Sequence, residues 1–406
     1  MKYVIIGVGA AGITAAEELR NIDDKCEIVM ISEDKYVHSR CMLHKYISHE
    51  RDEKSLNFAD ENFFEKNAIK WIKSPIKNID TNKKEVYTTD GDTVEYDKLL
   101  IATGANSFIP PVGDFRKASN VFGLRHLHDA QAIDKMADES ENILIVGSGL
   151  VGLDAAYGLL ERGKNVTIVE MAPSILPMQL NPHAAVEYQK LFEKAGAKFY
   201  LGCKAEKAEC MEDGKIHSVS FDTGESVDCD MIIVAAGVRP AVEFLDGSGI
   251  EVERGIKVDD FMKTNVDDVY AAGDVAGLSG IWPNAMKQGK TAALNMSGGC
   301  EKYEDRFAMK NTINFFGLVS LCLGNIKEEE GDTVLEQEDM KNYKRAVLKD
   351  GKLKGILLQG DISNSGIWQY IIKNEIDLSN IDKNIFSLSF ADFYGTGERG
   401  KYVWNI

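Results

Sequence analysis

Val4-Ile5-Ile6-Gly7-Val8-Gly9-Ala10-Ala11-Gly12 is echoed 140 residues later by Leu144-Ile145-Val146-Gly147-Ser148-Gly149-Leu150-Val151-Gly152. Each copy is an apolar run followed by G-x-G-x-x-G. The first glycine permits a tight turn out of a strand, the second lets backbone approach a pyrophosphate, and the third lets helix pack on strand. The helices are predicted through Ile13–Leu19 and Leu153–Leu160, the latter stopping near Arg162-Gly163. A second apolar strand follows each helix and ends in an acid, Glu33 or Glu170, which lies 26 or 23 residues after the first glycine of its motif. Such an acid accepts hydrogen bonds from ribose hydroxyls. One glycine motif is weak evidence; two copies, each with strand, helix and acid, indicate two dinucleotide sites.

Two more strands run into glycine, Leu99-Leu100-Ile101-Ala102-Thr103-Gly104 and Met231-Ile232-Ile233-Val234-Ala235-Ala236-Gly237. Prolines follow both, at Pro110-Pro111 and Pro240, as expected at crossings between domains. The fold class is therefore α/β, with two Rossmann-like domains, one inserted in the other, and a small α+β C-terminal domain. The expected boundaries are 1–110 with 240–309 for the first dinucleotide domain, 111–239 for the second, and 310–406 for the C-terminal domain. Short strands at Arg345–Leu348 and Gly355–Leu358, and a solvated acidic loop at Glu328-Glu329-Glu330, belong to the last.

The 406 residues carry 47 basic and 64 acidic side chains, a net charge of −17. That argues against nucleic acid and anionic membranes as partners. No apolar run reaches the ~18 residues of a membrane span. The N-terminus lacks signal-peptide character, so a cytoplasmic address is expected. Seven cysteines show no C-x-x-C or zinc spacing, so no metal site and no structural disulfide is expected.

The order of glycine loop, A-T-G, second loop, A-A-G and A-A-G-D resembles the FAD-dependent pyridine nucleotide–disulfide oxidoreductase superfamily, over residues 1 to about 305. The resemblance implies a glutathione-reductase-type arrangement that holds FAD and NAD(H). It also implies that Asp274, after Gly273, holds a ribitol hydroxyl of FAD and that Arg125 lies near the FAD phosphates. Trp282-Pro283-Asn284-Ala285 with Gln288-Gly289 resembles the segment covering the flavin. Ser39-Arg40-Cys41-Met42-Leu43-His44-Lys45 resembles the R-P-x-L-x-K segment of rubredoxin and ferredoxin reductases and of nitrite reductase flavin domains. That likeness implies Arg40 on the FAD and Lys45 beside the ring, with Asp154 in place of the carboxylate that pairs with the lysine. The C-terminal segment resembles that of NADH–rubredoxin reductases.

These readings place Gly7, Gly9, Gly12, Glu33, Arg40, Thr103, Gly104, Arg125, Gly273, Asp274 and Trp282 on FAD, Gly147, Gly149, Gly152 and Glu170 on NADH, and Gly237 among the cofactor-binding residues. A carboxylate at Glu170, followed by Met171-Ala172-Pro173 with no cation, favours NADH over NADPH. Lys45 with Asp154 would tune the flavin. The expected activity is hydride transfer from NADH to flavin N5, with electrons passed on to a rubredoxin- or ferredoxin-like protein or an iron–sulfur subunit. Two alternatives stay open. The chain is a flavin subunit of a larger complex, or Cys41 is catalytic in an NADH oxidase, peroxidase or CoA-disulfide (persulfide) reductase. In the second case the thiol is expected to be acidified by Arg40, Lys45 and His44. The commoner reading of Cys41 is a small buried apolar residue. Monomer, homodimer and complex are not distinguished.

Overall fold

Strand Lys2–Ile6 is the centre of a five-stranded parallel sheet in the computed structural model, which describes residues 1–305, 310–396 and 402–404. The order runs Val269–Ala271, Lys98–Ile101, Lys2–Ile6, Glu27–Ser32, Ile69–Lys73. Val4, Ile5 and Ile6 are at most 1% exposed, so both faces of the strand are covered. Unbroken apolar runs, not alternating ones, encode a doubly covered sheet. Val269–Ala271 pairs with Lys98–Ile101 in parallel, which brings the Gly273-Asp274 turn back beside the first glycine loop.

Helix Ala10–Ile22 begins three residues earlier than the apolar pattern indicates. The last glycines of the loop already form its first turn. The same holds for helix Leu150–Leu160, which ends at Gly163 in a left-handed conformation (φ +72°) as the C-cap reading requires. Helix Trp282–Met296 crosses helix Ala10–Ile22 closely, because a Cβ on Gly289 would lie 2.2 Å from the carbonyl oxygen of Ala11.

Around the second loop, strands Asn142–Val146, Met231–Val234 and Val121–Phe122 pair in parallel. An antiparallel ribbon pairs Ala105–Ser107 with Val238–Pro240.

The chain divides into two units. The first comprises Met1–Gly147, Val151–Ile168 and the segment from Ala205; the second comprises Ser148–Leu150, Val169–Lys204 and the C-terminal region. The second unit contains an antiparallel sheet in the order Lys310–Phe315, Leu318–Gly324, Lys352–Gln359, Tyr343–Lys349, Thr333–Glu338. Helix Pro182–Lys194 is tied into this unit by Tyr188, whose hydroxyl meets the carbonyls of Ile313 (3.2 Å) and Leu318 (3.0 Å) and Ser320 Oγ (3.0 Å). Residues 328–330 form the exposed acidic loop read from the sequence. No helix among the described residues is long and apolar enough to cross a membrane, and no cluster of three or more metal-ligating side chains is present among them.

Candidate active site

A cavity of about 240 Å³ opens at the C-terminal ends of the first sheet's strands. Ligands of open α/β sheets bind at that edge. Its wall contains Gly7, Gly9, Glu33, Arg40, Cys41, Thr103, Gly104, Arg125, Gly273, Asp274 and Trp282, residues drawn from seven separate places in the sequence. Gly7 has φ +112°, and a Cβ there would lie 2.2 Å from Ala102 O. A Cβ on Gly12 would lie 2.0 Å from Gly7 O, whereas one on Gly9 meets nothing within 4 Å. The first and third glycines thus close the turn, and the second leaves backbone bare toward the cavity. Helix Ala10–Ile22 has no side-chain cap and no acid in its first turn. Its free N–H groups and dipole favour an anion. This cradle fits the pyrophosphate of a dinucleotide, and Glu33, exposed at the end of its strand, fits a ribose.

Two guanidiniums share the wall. Arg125 is ion-paired to Asp274 and donates from Nε to Ala105 O at 3.1 Å. Arg40 pairs with Asp34 at 3.2 Å. Gly273 (φ +84°) donates its N–H to Oε1 of the fully buried Gln288 at 2.8 Å, which fixes the turn carrying Asp274. Thr103 Oγ1 bonds Ala241 O at 2.9 Å. Gly237 directly precedes strand Val238–Pro240, accepts from Phe108 N at 2.9 Å, and is not part of the cavity wall.

The second loop repeats the first. Gly147 has φ +105° with Ala235 O 2.6 Å from a built Cβ; on Gly152 the Cβ would be 2.0 Å from Gly147 O; on Gly149 it meets nothing within 4 Å. Glu170 is bound locally: Oε2 accepts from Ser148 N (2.7 Å) and Oγ (2.9 Å), and Oε1 from Ala172 N (2.8 Å).

Helix Leu150–Leu160 approaches helix Leu43–Ile47 because Gly158 has no side chain; a Cβ would lie 2.8 Å from His44 O. This brings Asp154 Oδ1 to 3.6 Å from His44 Nδ1. The expected ion pair between Lys45 and Asp154 is not formed. Lys45 Nζ is instead 2.5 Å from Glu50 Oε2 and 5.5 Å from the centroid of the Tyr157 ring. Aspartate is one methylene shorter than glutamate, and Glu50 lies within the lysine's reach on the same local segment. Burial pushes Asp154 up to about 7, against a smaller lowering by Lys45, and pushes His44 down to about 4. Near pH 7 His44 is therefore uncharged, while Asp154 is divided between its protonated and ionised forms.

Cys41 also corrects its expectation. It is neither a buried apolar filler nor an acidified thiol: it is open to the cavity, and the surrounding protein raises its pKa. Arg125 opposes that shift, while Asp154 and Asp274 add to it. Arg40, the expected acidifying neighbour, is already compensated by Asp34. Among the described residues Cys26, Cys203, Cys229 and Cys322 are buried, Cys210 is half-buried and Cys300 is exposed, all as free thiols.

Comparison with known proteins adds the following. The sequence profile of the pyridine nucleotide-disulphide oxidoreductases matches residues 1–289, and that of the rubredoxin NAD+ reductase C-terminal domain matches 310–376. The chain is 30% identical over 394 residues to the epsilon subunit of NADH-dependent phenylglyoxylate dehydrogenase from Aromatoleum evansii, covering 93% of both chains. It is 32% identical over 372 residues to the assimilatory nitrate reductase electron transfer subunit of Bacillus subtilis, covering 89% of this chain and 48% of the relative, so it spans about half that protein's length. Among solved structures it resembles NADH:rubredoxin oxidoreductase from Clostridium acetobutylicum, with TM-score 0.77, 26% identity and coverage of 94% and 97%.

Proposed function

This chain belongs to the pyridine nucleotide-disulphide oxidoreductase family, FAD-dependent enzymes that use NADH, and on that premise we propose that it passes electrons from NADH to a small rubredoxin- or ferredoxin-like protein. FAD, when bound, supplies a two-electron acceptor that can release electrons singly. The reading is carried by one observation: Gly158 lets a helix of the second glycine motif pack on His44, in the segment that also bears Cys41 and Lys45. A single stretch of chain thus serves both nucleotide motifs.

In this reading residues 1–110 and 240–309 form the FAD domain, 111–239 the NAD domain and 310–406 the C-terminal domain. Gly7, Gly9 and Gly12 admit the FAD pyrophosphate, Glu33 holds a ribose, and Arg40 and Arg125 supply hydrogen-bond donors. Asp274 receives a ribitol hydroxyl, and Trp282 closes the wall. Gly147, Gly149 and Gly152 admit the NADH pyrophosphate, and Glu170 holds its ribose while its charge repels a 2′-phosphate. Lys45 provides positive charge beside the ring, where negative charge develops on reduction. A cytoplasmic location accords with NADH as donor.

Glu170→Ala is expected to raise KM for NADH about tenfold, the cost of a charge-assisted hydrogen bond. KM for NADPH should change less. Steady-state kinetics with both nucleotides check this.

Anaerobic titration with NADH, followed through the flavin absorbance, tests the whole reading. Bleaching is expected with one equivalent and without a long-wavelength band. Because the Cys41 thiol is pushed up rather than down, Cys41→Ser is expected to hold NADH-to-dye turnover within about twofold of the parent, as for an unreactive thiol. A requirement for a second equivalent that disappears in Cys41→Ser would instead make the thiol part of the electron path. The likeness to a dehydrogenase's epsilon subunit over 93% of both chains supports a second reading, a flavin subunit of a larger complex. Gel filtration of the native protein from its own cells separates the two.

A further inference from the structure

We propose that His126 is a positioning residue for the flavin nucleotide, an uncharged imidazole that accepts a hydrogen bond from Arg40 and so fixes which N–H groups that arginine offers to the cavity. The inference rests on the FAD reading of the site. His126 is 8% exposed and, like Arg40, lies on the cavity wall. Arg40 Nη1 is 2.6 Å from His126 Nδ1. A guanidinium only donates, so Nδ1 must be the acceptor and the imidazole proton must sit on Nε2. That proton has its own acceptor, Asn106 Oδ1 at 3.0 Å, on another part of the same wall. The two contacts together define one tautomer.

The donor count then limits Arg40. Nη1 uses both hydrogens, on His126 Nδ1 and on Arg125 O at 3.2 Å, and Nη2 gives one to Asp34 Oδ2 at 3.2 Å. Nε–H and the second Nη2–H remain for a ligand. The backbone that carries His126 is fixed separately, since Asp129 Oδ2 accepts from the N–H of both Arg125 (2.9 Å) and His126 (2.8 Å) at the start of helix Leu127–Glu139. The Asp129 half of the capping box at the start of that helix therefore does not depend on the His126 side chain.

Neutrality is essential to the role, because a protonated imidazole could not accept from Arg40. Burial first, then Arg40, His128, Arg125 and His38, hold His126 down to about 2. Asp34 and Asp274 compensate the two arginines, so the wall tolerates two cations without a third. His128 stacks on His126 with centroids 5.1 Å apart, but it is exposed and faces Asp129.

The test is FAD binding to the apoprotein, followed by flavin fluorescence, with the apoprotein's melting temperature read alongside. His126→Leu is expected to weaken FAD about tenfold, the loss of one charge-assisted hydrogen bond. His126→Asn, whose amide oxygen can stand where Nδ1 stood, should bind within about threefold of the parent. His126→Gln, which places its amide near Nε2 instead, should follow Leu and serves if the Leu variant does not fold. In an Arg40→Ala background, His126→Leu should add nothing further. The proposal is overturned if Asn binds as weakly as Leu, if Leu binds as the parent does, or if the Arg40 and His126 losses multiply. A parent apoprotein that takes up no FAD would instead sink the reading of the cavity itself.

Discussion

Gly12→Ala is expected to yield a folded but colourless protein, and Gly152→Ala a yellow protein that NADH cannot bleach. The added methyl would stand 2.0 Å from a carbonyl oxygen in each case, Gly7 O or Gly147 O. Backbone, not a flexible side chain, must give way, so the loop shifts where the pyrophosphate would lie. Overpacking of this kind costs about 2–3 kcal/mol, which as binding energy is about a hundredfold in affinity. The two variants differ in readout. Gly12→Ala should lose the flavin spectrum on gel filtration while keeping its far-ultraviolet circular dichroism. Gly152→Ala should keep FAD, be reduced by dithionite, and show NADH reduction slowed at least about a hundredfold. If both variants lost FAD together, or if neither did, the assignment of one nucleotide to each loop would be wrong.

The glycine loops were legible because their physics is local. Turn, bare backbone and helix start lie within nine residues, and the clashes met by a Cβ at Gly7, Gly12, Gly147 and Gly152 are what force glycine there. The strands themselves were legible for a similar reason, from their unbroken apolar runs, whereas their order in the sheet was not read from the sequence. The partners of charged side chains were not legible. Arg40 meets His126 across 86 residues and Arg125 meets Asp274 across 149. Asp34, which neutralises Arg40, is close in sequence yet carries no periodic signal. Lys45 was expected opposite Asp154, but Glu50, five residues away, holds it. Gly158 was the available clue to the helix contact, as a glycine inside an apolar helix often marks close approach. The alternative of an activated Cys41 thiol counted three neighbouring cations and left out desolvation by the surrounding protein, which is the largest influence on it.

The rate of flavin reduction by NADH is expected to fall as pH rises through about 7, by about tenfold, and the limb should vanish in Asp154→Asn. Burial holds the Asp154 carboxyl protonated up to about 7. Its ionisation would place an anion beside the segment that carries Lys45 and Cys41, opposing negative charge that develops on the ring; a one-unit change in such an interaction is about 1.4 kcal/mol, or tenfold. The same group gives a readout independent of the flavin. Its folded pKa lies above the unfolded value of about 3.9. The fold therefore favours the protonated form, and that contribution is lost as pH rises from about 4 through about 7. The apoprotein's melting temperature should decline over that window in the parent and less in Asp154→Asn. Glu50→Gln separates this account from a general pH effect. Freed from Glu50, Lys45 can turn toward Asp154, and a cation beside the carboxyl lowers its pKa. The limb should then move below pH 7 in Glu50→Gln and stay absent in the double variant with Asp154→Asn. Parallel profiles in all four proteins would remove Asp154 from the electrostatics of the site.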